Sequence, residues 1–302
     1  MRMRRVLWSL AGVVAVLVAE VCSGAERRIL TSLYPIHIAT LNIVQGVPGV
    51  SVTCLSPPAG GCLHDHQLSV DDMVRLSKSD ILIVNGLGAE EFLGDVVDRF
   101  PRLKVVTASE GIEPMVSGGE VNSHAWLGVG LHMGQVRKIA KGLAEADPER
   151  AARYQANADG YIGRLTVLRD RMLKGLEGVT NRQIVTFHDA FPYFAREFGF
   201  VIVSVVQRHP GAEPGAQELK GTIGEIRRRG VGAVFAEPQY PADSARVVAA
   251  ETGARVVMLD PVVTGPMEAD AYLEAMERNL KALRESLTAG GLRADRPGAT
   301  AR

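Results

Sequence analysis

The sequence predicts an α/β protein made of two similar lobes, each a mostly parallel four-stranded sheet flanked by helices, joined by one long α-helix. Short apolar runs bounded by polar residues alternate with helical patterns in both halves of the chain, which is typical of parallel sheets. Residues 147–177 keep a helical pattern and open with Asp147-Pro148, an N-cap followed by a proline in the first turn. At 302 residues the chain is long enough for two lobes.

The N-terminal lobe is predicted over residues 26–146. Its strands are expected at 28–33, 50–55, 80–85 and 104–107, and its helices at 34–45, 69–78, 90–99 and 131–145. Asp80-Ile-Leu-Ile-Val-Asn85 is apolar throughout its interior, which indicates a strand buried on both faces. Ser69-Val-Asp-Asp72 resembles a capping box and predicts a helix start.

The C-terminal lobe is predicted over residues 178–288. Its strands are expected at 183–187, 201–206, 233–236 and 255–259, and its helices at 190–197, 216–229, 242–252 and 268–287. Residues 289–302 contain little to bury and are predicted to be a disordered tail.

Residues 1–25 are predicted to be a secretory signal peptide. Three arginines precede an apolar run, and Ser23-Gly-Ala25 fits a small-x-small cleavage site. We therefore expect a periplasmic or extracytoplasmic protein that begins near Glu26; an uncleaved membrane anchor is the alternative. We expect no lipid anchor at Cys22, because Val21 is bulky for the position before a lipoprotein cysteine.

The charge balance excludes one class of partner. The whole chain carries 34 basic and 34 acidic residues, whereas a nucleic-acid-binding protein normally shows a basic excess. After the leader no second long apolar run follows, so we expect a soluble mature protein. We also expect a monomer.

Two cysteines, Cys54 and Cys62, follow the leader. In an oxidising compartment a pair this close in sequence is predicted to form a disulfide. Two unpaired buried thiols and a thiolate metal site are the alternatives.

Three histidines and one carboxylate are candidate metal ligands. His188 and Asp260 each directly follow a predicted strand, so both should lie beyond the carboxyl ends of the second sheet. His64 and His124 lie in loops of the first lobe. Together they would make a tetrahedral set suited to Zn²⁺. Spacing alone does not separate this reading from four unrelated surface or hydrogen-bonded residues.

Seven segments of the chain match a known pattern. They are Ser32-Leu-Tyr-Pro-Ile-His37, His64-Asp-His-Gln-Leu-Ser-Val-Asp-Asp72, Asp80-Ile-Leu-Ile-Val-Asn-Gly86, His124-Ala-Trp-Leu127, Phe187-His-Asp-Ala190, Glu237-Pro-Gln239 and Leu259-Asp-Pro261. On these segments the chain resembles the solute-binding proteins of zinc and manganese ABC transporters, from about residue 29 to residue 287.

The resemblance implies a metal ion held between the lobes and delivered to a membrane permease. The ligands of the family fall on His64, His124, His188 and Asp260. A histidine at position 188, rather than a glutamate, favours Zn²⁺; Mn²⁺ or iron is the alternative, because carboxylate oxygen suits Mn²⁺ better.

Four further residues are predicted to support the ligands. His66 is the alternative to His64 as a ligand. It is predicted to lie beside the site rather than to bind the ion, because the family more often has an aromatic residue at this position. Glu237 follows a strand and could orient a liganding imidazole. Asp189 could do the same or cap the next helix, and Trp126 is expected to form a wall of the site.

The resemblance implies a transport protein without catalytic activity. An exported zinc-dependent hydrolase is the competing class, since three histidines and a water are also a catalytic arrangement. Asp260 separates the two, because it closes the metal shell in a binding protein and must be free as a base in an enzyme.

Overall fold

The structure is a computed structural model that describes residues 26–56, 67–117, 119–207 and 214–288. The predicted leader and the predicted tail lie outside these ranges. So do Cys62, His64 and His66.

The first sheet and its helices lie close to their predicted positions. The strands are β1 (Arg27–Thr31), β2 (Val50–Cys54), β3 (Ile81–Val84) and β4 (Lys104–Thr107), and the helices are α1 (Tyr34–Val44), α2 (Val70–Lys78) and α3 (Val129–Ala146). All strand pairs are parallel, in the order β2-β1-β3-β4. Every residue of β3 is buried, as its apolar run predicts. Ser69 and Asp72 make the predicted capping box at the start of α2.

Two local features of this half differ from the predictions. Glu91–Arg99 is 3₁₀ rather than α-helical, because Gly94, with φ of 42°, interrupts it. The stretch predicted as a loop before His124 contains a short antiparallel hairpin of β5 (Val116–Ser117) and β6 (Glu120–Val121).

The long helix is shorter than predicted. A 3₁₀ turn at Pro148–Arg150 precedes α4, which runs over Ala151–Gly175. The buried Asp147 carboxylate accepts two hydrogen bonds of 3.0 Å from Arg150 and one of 2.8 Å from the Tyr154 hydroxyl. These bonds stabilise the connection between α3 and α4, where the sequence predicts a helix start at Asp147-Pro148 and the structure has a 3₁₀ turn before α4 begins.

The second sheet repeats the order of the first. Its strands are β7 (Gln183–Thr186), β8 (Val201–Val205), β9 (Ala233–Ala236) and β10 (Arg255–Met258), and its helices are α5 (Pro192–Phe198), α6 (Ala216–Arg229), α7 (Asp243–Thr252) and α8 (Ala271–Leu287). The strands are parallel in the order β10-β9-β7-β8. In both sheets the first strand in the chain therefore lies between the second and the third. The predicted fold class is confirmed.

One buried apolar cluster contains residues of both sheets and of α1, α3, α4 and α8. Tyr161, Leu165 and Met172 of α4 belong to it, so the long helix is part of the core rather than an exposed spacer. In the ranges that the structure describes, no helix combines the length and apolarity needed to cross a bilayer.

Candidate metal site

Adjacent strands of the second sheet bring His188 and Glu237 together. His188 lies two residues after β7 and Glu237 directly after β9, and these strands are neighbours. The chain runs from β7 to β8 on one side of the sheet and from β9 to β10 on the other, so the carboxyl ends of β7 and β9 form a topological switch point, where open α/β sheets bind ligands. Position in the fold therefore makes His188 a candidate for ligand binding.

The loop before α3 brings His124 to the same place. Nε2 of His124 lies 3.4 Å from Nε2 of His188, and the ring centroids are 5.2 Å apart. Both side chains are almost fully buried, at 4% and 5% exposure. Two residues that are 64 positions apart in the chain thus point their Nε2 atoms at one another.

The Glu237 carboxylate lies beside the His188 ring. Its Oε2 lies 2.5 Å from His188 Nδ1, a short contact whose direction is not that of an aligned hydrogen bond. Its Oε1 accepts the backbone N–H of His188 at 3.2 Å, and Gln239 Nε2 donates to Oε2 at 2.6 Å. A carboxylate beside Nδ1 favours the proton there and leaves the Nε2 lone pair available. This contact is the one expected of Glu237, whose role in the site stays a prediction.

Asn122 has the corresponding position beside His124. Its Oδ1 accepts the backbone N–H of His124 at 3.0 Å and lies 3.3 Å from the ring Nδ1. Sequence reasoning assigned no role to this residue. The signal was present, because short Asn side chains commonly bond the backbone two residues further on.

Trp126, which is expected from the sequence to form a wall of the site, packs beside His124, and that role stays a prediction. Its ring centroid lies 5.0 Å from that of His124, and the side chain is fully buried. Its Nε1 donates to the carbonyl oxygen of Pro261 at 2.9 Å, and its own carbonyl accepts the Tyr272 hydroxyl at 2.7 Å. The indole therefore contacts the segment that carries Asp260.

Asp260 makes polar contacts with Val262 in its own loop and with Arg278 and Asn279 of α8. Oδ1 accepts the backbone N–H of Val262 at 2.8 Å, and Oδ2 lies 3.4 Å from Nη2 of Arg278. Asn279 bonds both the backbone N–H and the carbonyl of Asp260 at 2.7 Å. Burial raises the pKa of the carboxyl group. Across the described ranges no three His, Cys, Asp or Glu side chains form a metal-holding group, so the structure does not group Asp260 with the two imidazoles.

Asp189 contacts Asn122 rather than capping a helix. The N-cap of α5 is Phe191, which has no side-chain capping bond, so the capping alternative is wrong. Instead, the Asp189 carbonyl accepts from Asn122 Nδ2 at 2.5 Å, and its Oδ2 lies 3.5 Å from the same nitrogen. A supporting role for Asp189 beside the metal stays a prediction.

The predicted disulfide is not supported. Cys54 is a free, buried thiol whose Sγ donates to the carbonyl of Ser56 at 3.1 Å. Burial raises the pKa of this thiol to about 11, which makes it a poor thiolate ligand as well. Its predicted partner, Cys62, lies outside the described residues, as do His64 and the alternative ligand His66. Sequence spacing favoured a pair, but it contained no information on which way Sγ would point.

The fold and the paired imidazoles of His124 and His188 are typical of two-lobed α/β binding proteins. The chain belongs to the family described as zinc-uptake complex component A periplasmic, whose model matches residues 29–286. The resemblance seen in the sequence is therefore confirmed.

Individual relatives are named for different metals. The chain is 26% identical to the manganese-binding lipoprotein MntA of Halalkalibacterium halodurans, over 92% of this chain and 97% of that protein. It is 34% identical to the high-affinity zinc uptake system protein ZnuA of Brucella abortus, over 48% of this chain and 43% of that protein. The solved structure of FpvC from Pseudomonas aeruginosa in complex with Mn²⁺ matches 87% of this chain and 98% of its own, with a TM-score of 0.79 at 29% identity.

These relatives bear on several expectations. Members of the family are metal-binding solute-binding proteins of ABC transporters rather than enzymes. Zinc and manganese both appear among the relatives, so the family does not choose between the two ions. The expectation that no lipid anchor is present is not supported, because MntA is named a lipoprotein.

Proposed function

We propose that this protein captures Zn²⁺ between its two lobes and delivers it to an ABC-type membrane permease. The observation that carries the proposal is the 3.4 Å separation of the Nε2 atoms of His124 and His188. Two nitrogens bound tetrahedrally to zinc at about 2.0–2.1 Å lie about 3.3–3.4 Å apart. The same separation would allow the two rings to share one proton, and a cation would replace that proton.

The groups behind the rings support this reading. Glu237 and Asn122 each present an oxygen to the Nδ1 side of one ring, at 2.5 and 3.3 Å. Metal-bound histidines almost always have such a partner on the second nitrogen, which leaves the other free for the ion. In this proposal His64 and Asp260 complete the shell, with His66 and Trp126 at its border.

Zinc is proposed over manganese because of the ligand types. A set of three imidazoles and one carboxylate offers mostly nitrogen, which suits Zn²⁺ better than Mn²⁺. Manganese is the alternative, favoured by the name of the MntA relative. We propose further that the protein acts outside the cytoplasmic membrane as a monomer, with lobes at 26–146 and 178–288 on either side of residues 147–177.

A zinc hydrolase is the second reading, and Asp260 again separates the two. Substituting Asp260→Ala should weaken zinc binding in a transport protein, because the metal shell loses an oxygen ligand. In an enzyme the same change would leave zinc bound and remove activity. Assays of the wild type against ester and peptide substrates, with zinc affinity measured alongside, distinguish the two outcomes.

The test of the main proposal is a competition titration of the metal-free protein against a chromophoric chelator, with Zn²⁺ and Mn²⁺ in turn. We expect tighter binding of Zn²⁺, and a loss of at least 100-fold in zinc affinity for His124→Ala and for His188→Ala. His37→Leu is the matched control, since His37 is a buried histidine of α1 that bonds Thr31. Unchanged zinc affinity in both site variants would refute the proposal.

A further inference from the structure

Asn122 contacts both halves of the proposed site with one side-chain amide. Its Oδ1 accepts from the His124 backbone N–H at 3.0 Å and lies 3.3 Å from Nδ1 of the ring. Its Nδ2 donates to the carbonyl of Asp189 at 2.5 Å. Asp189 is the neighbour of His188 in the chain, so a single planar group lies between the segments that carry the two imidazoles.

The main chain of Asn122 is held as firmly as its side chain. Its N–H donates to the carbonyl of Met115 at 2.8 Å, and its carbonyl accepts the Tyr193 hydroxyl at 3.0 Å. The same hydroxyl accepts the backbone N–H of Met115 at 2.9 Å. Tyr193 belongs to α5 in the second half of the chain, so the backbone is also bonded across the two halves. At 6% exposure, Asn122 has little access to water as an alternative hydrogen-bond partner.

From these contacts we infer that Asn122 is a positioning residue that sets the distance between the Nε2 atoms of His124 and His188. It does so by linking the orientation of the His124 ring to the backbone at Asp189, beside His188. The inference rests on the proposed metal site and adds a specific determinant of its geometry. A positioning residue does not touch the ion. It reduces the range of imidazole separations that the empty protein samples, and so lowers the cost of bringing both rings to the ion.

The chemistry of the side chain explains why an amide is needed. Oδ1 must accept while Nδ2 must donate, since the atoms facing Nδ2 are the Asp189 carbonyl and carboxylate oxygens. An aspartate at position 122 would keep the acceptor beside His124 but place a negative oxygen against those oxygens. An alanine would remove both functions. The two substitutions therefore separate the bond to Asp189 from the bond to His124.

The experiment compares full-length wild-type protein with the variants Asn122→Ala and Asn122→Asp, using Zn²⁺ competition and the visible absorption spectrum of the Co²⁺-loaded protein. We expect Asn122→Ala to weaken zinc binding about 10- to 100-fold, as loss of a partner of a metal-bound histidine does. We expect the Co²⁺ spectrum, which reports the arrangement of ligands around the ion, to shift in both variants.

Asn157→Ala is the matched control. The Asn157 amide likewise joins two segments of the chain, since it lies on α4 and donates to the backbone carbonyls of Ile43 and Gln45, both at 2.9 Å. Its loss should affect stability but neither the zinc affinity nor the Co²⁺ spectrum. Circular dichroism of each metal-free variant establishes that it is folded before binding is compared.

The outcomes separate this inference from the proposed function. If His124→Ala abolishes tight binding while both Asn122 variants keep wild-type spectra and Asn122→Ala keeps its affinity within threefold, the positioning role is overturned and the metal site stands. A wild-type spectrum for Asn122→Asp alone would overturn the bridge to Asp189. If His124→Ala and His188→Ala both bind zinc normally, the metal site itself is wrong.

Discussion

Trp126 Nε1 donates a hydrogen bond of 2.9 Å to the carbonyl oxygen of Pro261, the residue that follows Asp260. The two residues are 135 positions apart in the chain, and both partners of this bond are buried. Tyr272 of α8 bonds the Trp126 carbonyl at 2.7 Å. Because of these bonds, the proposed carboxylate ligand is linked to the loop that carries His124 even without an ion between them.

Replacing Trp126 with phenylalanine tests this link. The substitution keeps an aromatic wall but leaves the buried Pro261 carbonyl without its donor, which costs about 1–3 kcal/mol. We expect the free energy of unfolding to fall by that amount, and the zinc affinity to fall several-fold if Asp260 is a ligand. Urea denaturation of the metal-free protein and chelator competition measure the two effects. An unchanged zinc affinity despite the lost stability would argue against Asp260 as a ligand.

The Glu237 carboxylate should be essential for tight binding although it does not touch the ion. In the variant Glu237→Gln, the amide can donate to His188 Nδ1, which moves the ring proton to Nε2 and blocks the ligand atom. We expect a 10- to 100-fold loss of zinc affinity with little change in fold. Glu225→Gln, at a carboxylate paired with Arg228 and Arg229 on the exposed face of α6, is the control and should bind as the wild type does. Equal affinities in the two variants would contradict the assignment.

Acid should destabilise the metal-free protein partly through His37. Burial lowers the pKa of His37 from 6.5 to about 4. Between these values the unfolded chain binds a proton that the folded protein does not, so stability is lost as the pH falls from 6.5 toward 4. The loss from this group is about 1.4 kcal/mol for each pH unit in that window.

The variant His37→Leu isolates this contribution. The Thr31 hydroxyl, which contacts His37 Nδ1 at 3.0 Å, also donates to the carbonyl of Thr53 at 3.1 Å and therefore keeps a partner. We expect the stability of the variant, measured by urea denaturation between pH 7 and pH 4.5, to fall less steeply than that of the wild type. Parallel pH profiles would show that His37 is protonated equally in the folded and unfolded states.

Two glycines of α3 should respond oppositely to alanine. A Cβ at Gly142 would lie 2.5 and 2.6 Å from the two Cγ atoms of Val106 on β4, whereas a Cβ at Gly134 would meet nothing within 4 Å. We expect Gly142→Ala to destabilise the protein by about 1–3 kcal/mol through overpacking. Gly134→Ala should stabilise it by about 0.5–1 kcal/mol, because alanine loses less backbone entropy in a helix.

The cause of the Gly142 effect can be checked directly. Adding Val106→Ala should restore much of the stability lost in Gly142→Ala, because it removes both contacting methyl groups. Thermal unfolding of the two single variants and the double variant gives the coupling between the sites. Independent effects would mean that the clash is relieved by a small shift of α3 on the sheet.

The secondary structure was predictable because its signals are local. The buried strand at Ile81–Val84, the capping box at Ser69 and the helix at Ala216–Arg229 each depend on residues within one segment, and each is found where the sequence predicts it. Where the local signal was weak, the prediction failed. The strands of the β5–β6 hairpin have two residues each, too few to show an alternating pattern.

By itself, the sequence determined the order of strands and helices, the two-lobed α/β class and the placement of His188 and Asp260 after strands, because apolar periodicity and strand ends are visible along the chain. Only the tertiary structure decided which of these side chains meet. The His188–Glu237 contact joins residues 49 positions apart, and the Asn122–Asp189 bond joins residues 67 apart. Such pairs depend on the order of strands in a sheet and on the packing of one half of the chain against the other.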